Sequence, residues 1–176
     1  PGHRFQLDRV KANGISLTAE QASVIIQINQ SATEDSKTFL IQGVTGSGKT
    51  EIYLGVIEPL LLAGKQVLVL VPEIGLTPQT VARFRDRFDV PVAVIHSSLS
   101  DKERAIGWID ARDGNAGIIL GTRSAIFMPM KSPDAIIVDE EHDASYEQHD
   151  GFRYSARDLA VLRGQFEKIP VILGSA

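Results

Sequence analysis

The residues best suited to chemistry lie in segment 43–50, where glycines precede a lysine and a threonine. The pattern G-x-x-x-x-G-K-[ST] begins at Gly43 and ends at Lys49 and Thr50, after an apolar run typical of a strand. In such a loop the backbone N–H groups surround phosphate oxygens, the lysine reaches the β- and γ-phosphates, and the threonine hydroxyl ligates Mg²⁺. The alternative is an ordinary glycine-rich turn between a strand and a helix. The pattern predicts a binding site for a nucleoside triphosphate, formed by Gly43, Val44, Thr45, Gly46, Ser47, Gly48, Lys49 and Thr50.

A second group of chemically capable residues is the acidic tetrad Asp139-Glu140-Glu141-His142, which directly follows the apolar run 135–138. Carboxylates at the end of a buried parallel strand lie at the sheet edge where ligands bind. We expect Asp139 to contact Mg²⁺ through water and Glu140 to orient and activate the attacking water. The alternative is a solvated acidic loop that caps the next helix. Together with Lys49, these two carboxylates are the predicted catalytic residues.

Alternating strands and helices must position both groups. The predicted strands are 39–42, 66–71, 92–95, 117–120, 135–138 and 171–173. The predicted helices begin at the N-cap Thr18 and then span 49–63, 77–88, 100–114 and 155–166. Short connections between alternating elements indicate an α/β sandwich around a mostly parallel sheet. In the first helix we expect one face to carry Ala22, Ile25, Ile26 and Asn29.

Composition excludes several classes of protein. The 176 residues fit one domain, with 43% hydrophobic residues to build a core. The sequence has no cysteine, which excludes disulfides and thiolate metal sites and is compatible with a reducing cytoplasm. No apolar run approaches the ~20 residues of a membrane span, and no signal peptide opens the chain. The net charge of −4 gives no global sign of nucleic-acid binding, so such binding would need a local patch.

Five short segments occur in the order of motifs I, Ia, Ib, II and III of superfamily 2 helicases. They are 43–50, 72–79, 121–125, 139–142 and 174–176. The tetrad DEEH departs from the commoner DEAH and DEAD. Combined with the aromatic-rich stretch 146–154, it resembles the bacterial replication-restart (primosomal) DNA helicases, and the resemblance extends from about residue 17 onward.

The resemblance implies a RecA-like P-loop NTPase lobe, a three-layer sandwich that binds ATP and Mg²⁺ and spans residues 18–176, preceded by a lead-in over residues 1–17. It also implies 3′→5′ unwinding of DNA at stalled forks in the cytoplasm, with other primosome proteins and single-strand-binding protein as partners. Helicases of this kind have a second RecA-like lobe that supplies arginine fingers, and further DNA-binding and zinc-binding regions. Because the chain ends on an apolar strand inside motif III, we expect it to be one lobe of a longer protein.

The resemblance also assigns roles outside the two central motifs. Gln21 either completes a capping box with Thr18 or hydrogen-bonds the adenine edge. His142 either links the ATP site to Ser175 in motif III or caps a helix. Arg123 either contacts the DNA backbone or is a surface cation without a partner.

Two further segments are candidates for nucleic-acid contact. Thr77, at a helix start, suits contact with the DNA backbone through its hydroxyl. Phe152 and Arg153 suit base stacking and single-strand binding. In the alternative interpretation, Phe152 and Tyr154 anchor their loop to the core.

Three functions remain open from the sequence. The first is the motor lobe of an ATP-dependent DNA helicase. The second is a nucleotide-gated DNA-binding module without turnover, which the isolated lobe would resemble. The third is another P-loop phosphotransferase, against which the tetrad and motif Ib argue.

Overall fold

A computed structural model describes residues 16–31, 36–43 and 48–176. The helices are α1 (Ala19–Ser31), α2 (Lys49–Leu62), α3 (Pro78–Arg87), α4 (Asp101–Asp113) and α5 (Ala156–Glu167). The strands are β1 (Thr38–Gln42), β2 (Gln66–Leu70), β3 (Val92–Ile95), β4 (Ile118–Gly121), β5 (Pro133–Val138), β6 (Glu147–Gln148), β7 (Tyr154–Ser155) and β8 (Val171–Ser175). Each strand and helix predicted from the sequence is present within a few residues of its predicted limits.

Six of these strands form one sheet in the order β1-β8-β5-β2-β4-β3, and every neighbouring pair is parallel. The predicted α/β fold with a mostly parallel sheet is therefore confirmed. All five residues of β2 are buried, as expected where both faces of a sheet are covered. Because side chains alternate along a strand, Val67 and Val69 join the core cluster under α1, α2 and α3, whereas Leu68 and Leu70 join the cluster under α4 and α5.

Local sequence signals fix where several helices begin. Thr77 caps α3 by accepting a hydrogen bond from the Thr80 N–H at 3.2 Å. Ser100 and Glu103 form a capping box at the start of α4. These caps end the loops after β2 and β3 at defined points; the loops leave the same edge of the sheet because their strands are parallel.

The face of α1 expected from the sequence is only partly buried in the structure. Ile25 and Ile28 are buried, whereas the Ile26 side chain is 53% exposed. The buried stripe follows the contact with α2, where Ile25 packs close to the Cα of Gly55. Tertiary packing thus selects positions 25 and 28, which lie on one side of the helix.

A two-stranded antiparallel ribbon, β6 and β7, was not predicted. Glu147 pairs with Ser155 and Gln148 with Tyr154. The ribbon closes the base of the aromatic loop, which we define as residues 146–154. This pairing gives the loop fixed ends directly after the acidic tetrad.

No helix in the described part of the chain has the length and apolar composition for crossing a membrane.

Gln66 is a buried polar residue that ties three segments together. Its side chain is 1% exposed, and its amide nitrogen donates to the carbonyls of Ala111 at 3.0 Å and Ala116 at 2.8 Å. Its amide oxygen accepts from the Ser132 N–H at 2.9 Å. These bonds hold the end of α4 and the loop before β5 against the start of β2.

Replacing Gln66 by Ala leaves three backbone groups without these partners. We expect the free energy of unfolding to fall by about 2–4 kcal/mol, because an unsatisfied buried polar group costs ~1–3 kcal/mol. Urea unfolding of the chain measures the change. The matched control is Gln27→Ala on the exposed side of α1, expected within ~0.5 kcal/mol of the parent. Equal effects of the two substitutions would contradict the role of Gln66.

Candidate active site

Lys49 lies at the start of α2, directly after Gly48, which adopts a left-handed conformation with φ of 84°. The Lys49 side chain is nearly buried, its ammonium donates to the Gly43 carbonyl, and it lies 3.3 Å from the Oε1 of Glu140. The predicted phosphate-binding lysine and the predicted catalytic carboxylate therefore meet at the carboxyl edge of the sheet. Of the predicted loop residues, Val44, Thr45, Gly46 and Ser47 lie outside the described residues.

Glu140 has an unusual backbone conformation. Its φ is +46°, in the left-handed region that non-glycine residues rarely occupy. The carbonyl of Glu140 accepts from the Asp143 N–H at 2.9 Å, which closes a turn directly after β5. This turn lets Glu140 reach Lys49. Such strained positions cluster at functional sites, where the surrounding structure holds them in place.

Asp139 is fixed by both its backbone and its side chain. Its N–H donates to the Leu70 carbonyl at 2.9 Å, and its own carbonyl accepts from the Tyr146 hydroxyl. Its Oδ1 accepts from the Tyr53 hydroxyl at 2.8 Å. Burial raises the pKa of the Asp139 carboxyl, and the bond from Tyr53 acts in the opposite direction. Burial and the neighbouring carboxylate raise the pKa of Tyr53, so its hydroxyl remains a donor.

The oxygen atoms near Asp139 fit Mg²⁺. Thr50, Tyr53 and Asp139 line a cavity of about 150 Å³. The Thr50 hydroxyl and the Asp139 carboxylate are hard oxygen donors, and Mg²⁺ commonly takes one or two such protein ligands and completes its shell with phosphates and water. The described residues contain no group of three or more His, Asp and Glu side chains suited to holding a metal. A Mg²⁺ ion here would therefore share its coordination with a nucleotide.

Gln21 makes the capping box and a second contact as well. The Gln21 N–H donates to the Thr18 hydroxyl at 3.1 Å, and the Thr18 N–H donates to the Gln21 Oε1 at 2.9 Å. The amide nitrogen of Gln21 also donates to the Gly48 carbonyl at 3.3 Å. The residue thus links the start of α1 to the start of α2, next to Lys49.

The last two residues of the tetrad point to different partners. Glu141 pairs with Arg157 at 2.6 Å, and its N–H donates to the Gly174 carbonyl at 2.8 Å. His142 lies 3.7 Å from Glu140 and is about half exposed. Among the described residues, the hydrogen bond that joins the tetrad to β8, the strand of motif III, is therefore made by the backbone N–H of Glu141 and not by the His142 side chain.

Arg123 is not a cation without a partner, which corrects one of its two interpretations. Its guanidinium donates to the carbonyls of Ser145 at 3.4 Å and Glu147 at 2.8 Å. The Ser145 hydroxyl accepts from the Glu73 N–H at 3.2 Å. The loops after β2, β4 and β5 therefore converge on Ser145. The sequence could not predict these partners of Arg123, because every residue has a backbone carbonyl that could accept the bonds.

The aromatic loop has two anchored rings, Tyr146 and Tyr154, and one strongly exposed ring, Phe152. Tyr154 packs against the core and lies edge-on to Phe127, with ring centroids 5.0 Å apart. Phe152 is 78% exposed and contacts Tyr154 with centroids 6.1 Å apart. The anchoring interpretation therefore holds for Tyr154 and not for Phe152. Arg153 is exposed, and its Nε donates to the His149 carbonyl at 3.1 Å.

Two clefts open beside these residues. One of about 410 Å³ is lined by Phe127, Phe152 and Tyr154 together with Arg123 and other polar residues. A second, of about 650 Å³, lies between α3 and β3 and includes Thr77 in its wall. Three of the candidate nucleic-acid residues, Thr77, Arg123 and Phe152, therefore border two adjoining clefts.

Sequence reasoning missed Tyr53 and Phe127, and it included Tyr146 in the aromatic stretch without predicting its burial or its bond to the Asp139 carbonyl. One signal was available for Tyr53, because it lies four residues after Lys49 and three after Thr50, on the same side of α2. Tyr146 and Phe127 had no comparable signal, since their partners depend on the path of the loops.

Comparisons with known proteins agree with this arrangement. The replication restart protein PriA of Haemophilus influenzae is 52% identical over 164 residues, which cover 93% of this chain and 22% of that protein. PriA of Bacillus subtilis is 47% identical over 167 residues, which cover 94% of this chain and 21% of that protein. The predicted resemblance to replication-restart helicases is confirmed, and the chain spans about a fifth of these relatives' length.

Solved structures of low sequence identity share the fold. RecG bound to a three-way DNA junction matches with a TM-score of 0.69 at 23% identity, over 92% of this chain and 21% of that chain. The Hef helicase domain of Pyrococcus furiosus matches with a TM-score of 0.62 at 22% identity, over 89% of this chain and 32% of that chain. A family model described as "Type III restriction enzyme, res subunit" matches residues 14–169. The chain thus belongs to this family.

Proposed function

We propose that this chain is the nucleotide-binding motor lobe of an ATP-dependent DNA helicase that acts in replication restart. The relatives named PriA are longer, and we propose that the lobe acts within a protein of similar length, called the full-length protein below. The contact of 3.3 Å between Lys49 and Glu140 is the main support. It brings the phosphate-binding motif and the acidic tetrad close enough for both to act on one bound nucleoside triphosphate.

The proposed chemistry uses four side chains. Lys49 exchanges its contacts with Gly43 and Glu140 for oxygens of the β- and γ-phosphates, which neutralises their charge. Glu140 then accepts a hydrogen bond from the attacking water and takes up its proton. Thr50 and Asp139 would hold Mg²⁺, which supplies charge neutralisation at the phosphates.

The DNA-binding surface is proposed to lie along the loops after β2, β4 and β5. Thr77 borders one cleft, Phe152 borders the other, and Arg153 is the exposed neighbour of Phe152. The contacts of Arg123 and Glu73 with Ser145 join these loops. The next residue, Tyr146, donates to the Asp139 carbonyl. This chain of contacts supports coupling, because a shift of the loops on DNA would act on the backbone of a metal-binding residue.

Gln21 and His142 are proposed to act at the edges of the nucleotide site. The bond from Gln21 to Gly48 leaves its amide beside the phosphate-binding motif. From there, the amide can exchange this bond for the adenine edge, which offers both a donor and an acceptor. His142 is proposed to hold Glu140 through the contact between them.

Direction and partners are proposed from the relatives. Replication restart is the role that the name PriA states. From the sequence resemblance we propose 3′→5′ movement, a second RecA-like lobe in the full-length protein, and interaction with other primosome proteins and single-strand-binding protein. RecG, which shares the fold, is bound to a three-way DNA junction in its structure, and we propose branched DNA as the substrate class of the full-length protein as well.

Strand displacement by the full-length protein tests the proposal. A labelled duplex with a single-stranded 3′ tail should be unwound in the presence of ATP and Mg²⁺, and the same duplex with only a 5′ tail should remain intact. Omission of ATP should abolish unwinding of either substrate. Unwinding without ATP, or equal unwinding of both substrates, would contradict the proposal.

Phe152→Ala should weaken single-stranded DNA binding by the full-length protein. Stacking of one base on an aromatic ring contributes ~1–3 kcal/mol, so we expect an affinity loss of about 5- to 150-fold. Fluorescence anisotropy with a labelled oligonucleotide measures this affinity. Nucleotide affinity without DNA should stay unchanged, because Phe152 is exposed and distant in sequence from the phosphate-binding motif.

Phe166→Ala is the matched control for Phe152→Ala. Phe166 is also strongly exposed but lies at the end of α5. It should leave DNA affinity unchanged. Equal losses in the two variants, or no loss in either, would argue against base stacking on Phe152.

For the chain of residues 1–176 alone we propose nucleotide and DNA binding with little turnover. Arg157, the arginine that the structure places at the acidic tetrad, is paired with Glu141 and Asp158. It is therefore unsuited to stabilising charge on a transferring phosphoryl group, a role that we assign to the second lobe.

A further inference from the structure

Tyr53 is a buried tyrosine with a single charged partner. It is 2% exposed, and its hydroxyl donates to the Oδ1 of Asp139 at 2.8 Å. It lies one helical turn after Lys49 and Thr50 on α2, so the helix that carries these residues also carries the donor. A charge-assisted hydrogen bond in a buried setting has about twice the strength of a neutral one.

Gly174 in β8 provides the room for this bond. A Cβ built on Gly174 would overlap the Tyr53 hydroxyl, and it would lie 3.0 Å from the Tyr53 Cζ and 3.3 Å from the Asp139 Oδ1. The backbone of Gly174 does not have a positive φ. The need for glycine at this position is therefore one of space, and the occupant of that space is the hydroxyl of Tyr53.

Three elements thus converge on one carboxylate: α2 through Tyr53, the turn after β5 through Asp139 itself, and β8 through Gly174. Leu70 and Tyr146 hold the backbone of Asp139 on both sides, and the Tyr53 hydroxyl occupies Oδ1. The second carboxylate oxygen of Asp139 is therefore the one left for other ligands. A freely rotating carboxylate would present either oxygen.

We propose that Tyr53 is a positioning residue that orients Asp139 toward the metal of a bound nucleotide, and that Gly174 is required because a larger residue would displace the Tyr53 hydroxyl. This proposal rests on the proposed nucleotide site, but not on DNA binding or unwinding. A role in packing alone would make Tyr53 equally important with and without a metal ion.

The test measures affinity of the full-length protein for a fluorescent ADP analogue, once in excess Mg²⁺ and once in EDTA. Tyr53→Phe keeps the ring and removes the hydroxyl. We expect it to weaken binding in Mg²⁺ by about 3- to 10-fold. This loss is smaller than the full contribution of a hydrogen bond to a charged group, because Asp139 itself remains in place. Affinity in EDTA should be unchanged. The matched control is Trp108→Phe on α4, which lines neither cleft and lies outside the nucleotide site, and which should change neither value.

A double-mutant cycle tests the part played by Gly174. Gly174→Ala should weaken binding in Mg²⁺ as Tyr53→Phe does. In the Tyr53→Phe background it should add a smaller loss than it causes alone, because the overlap with the hydroxyl is absent and only the contacts with the ring Cζ at 3.0 Å and the Asp139 Oδ1 at 3.3 Å remain. Losses that multiply in the double variant would overturn the proposal.

Equal losses in Mg²⁺ and EDTA for Tyr53→Phe would also overturn the proposal, since they would assign Tyr53 to packing alone. Should Gly174→Ala fail to fold, as judged by circular dichroism, the magnesium dependence of Tyr53→Phe decides the question. Absence of DNA-stimulated turnover in the parent would contradict the proposed function and leave this test of the nucleotide site intact.

Discussion

Glu140→Gln in the full-length protein is expected to lower DNA-stimulated ATP hydrolysis by about 10²- to 10⁴-fold, the contribution typical of a general base. The amide keeps the size of the side chain but cannot take up the proton of the attacking water. Nucleotide affinity should change little, because Lys49 remains available to the phosphates. Phosphate release under saturating ATP and single-stranded DNA measures the rate, and a fluorescent nucleotide measures the affinity.

Glu141→Gln is the control that the chain itself offers. The two carboxylates are adjacent in sequence, yet Glu140 reaches Lys49 at 3.3 Å while Glu141 pairs with Arg157 at 2.6 Å. We therefore expect Glu141→Gln to retain most turnover and to lose some stability. A larger loss of turnover from Glu141→Gln than from Glu140→Gln would reverse the assignment of the catalytic base.

The left-handed backbone of Glu140 supports this assignment. A glycine at φ of +46° would be free of the strain that a residue with a Cβ incurs there. The chain nevertheless has glutamate at this position, and the turn directs its side chain to Lys49. The strained position is therefore consistent with the catalytic role that we propose for the Glu140 carboxylate.

Lys49→Ala is expected to weaken ATP binding by about 10- to 100-fold, because a hydrogen bond from a charged group contributes ~1.5–3 kcal/mol. The substitution also removes the partner of Glu140, which is a quarter exposed and can be solvated instead. We therefore expect the folded structure to persist. Equilibrium titration of the full-length protein with a fluorescent ATP analogue gives the affinity.

Lys102→Ala serves as the control for the loss of one positive charge. Lys102 lies exposed in the first turn of α4, away from the phosphate-binding motif. Its removal should leave ATP affinity unchanged. If both variants lost affinity equally, the effect would come from net charge, and the assignment of Lys49 to the phosphates would fail.

The sheet and its functional edge could be predicted because their signals are local. Continuous apolar runs such as 66–71 indicate strands covered on both faces, and caps such as Ser100 mark helix starts. Once the sheet was predicted to be parallel, the loop after each strand had to leave the same edge. The meeting of Lys49 with Glu140 follows from that rule, although the two residues are far apart in sequence.

Contacts that depend on loop paths could not be predicted. Arg123 bonds to carbonyls of Ser145 and Glu147, and every residue has such a carbonyl. The choice of Ile28 over Ile26 for the buried side of α1 depends on how α1 packs on α2. The hydrogen bond of Tyr53 is made to a residue that lies 86 residues later in the sequence. The role that we propose for Tyr53 also depends on the space beside Gly174, which only the packing of β8 on α2 defines.

The most direct test of the motor-lobe proposal is steady-state ATP hydrolysis with and without single-stranded DNA, measured on the full-length protein and on residues 1–176. The proposal predicts that DNA stimulates hydrolysis by the full-length protein and that the isolated chain turns over little ATP under either condition. Hydrolysis by the full-length protein that does not respond to DNA, or phosphorylation of a small molecule in place of hydrolysis, would contradict it.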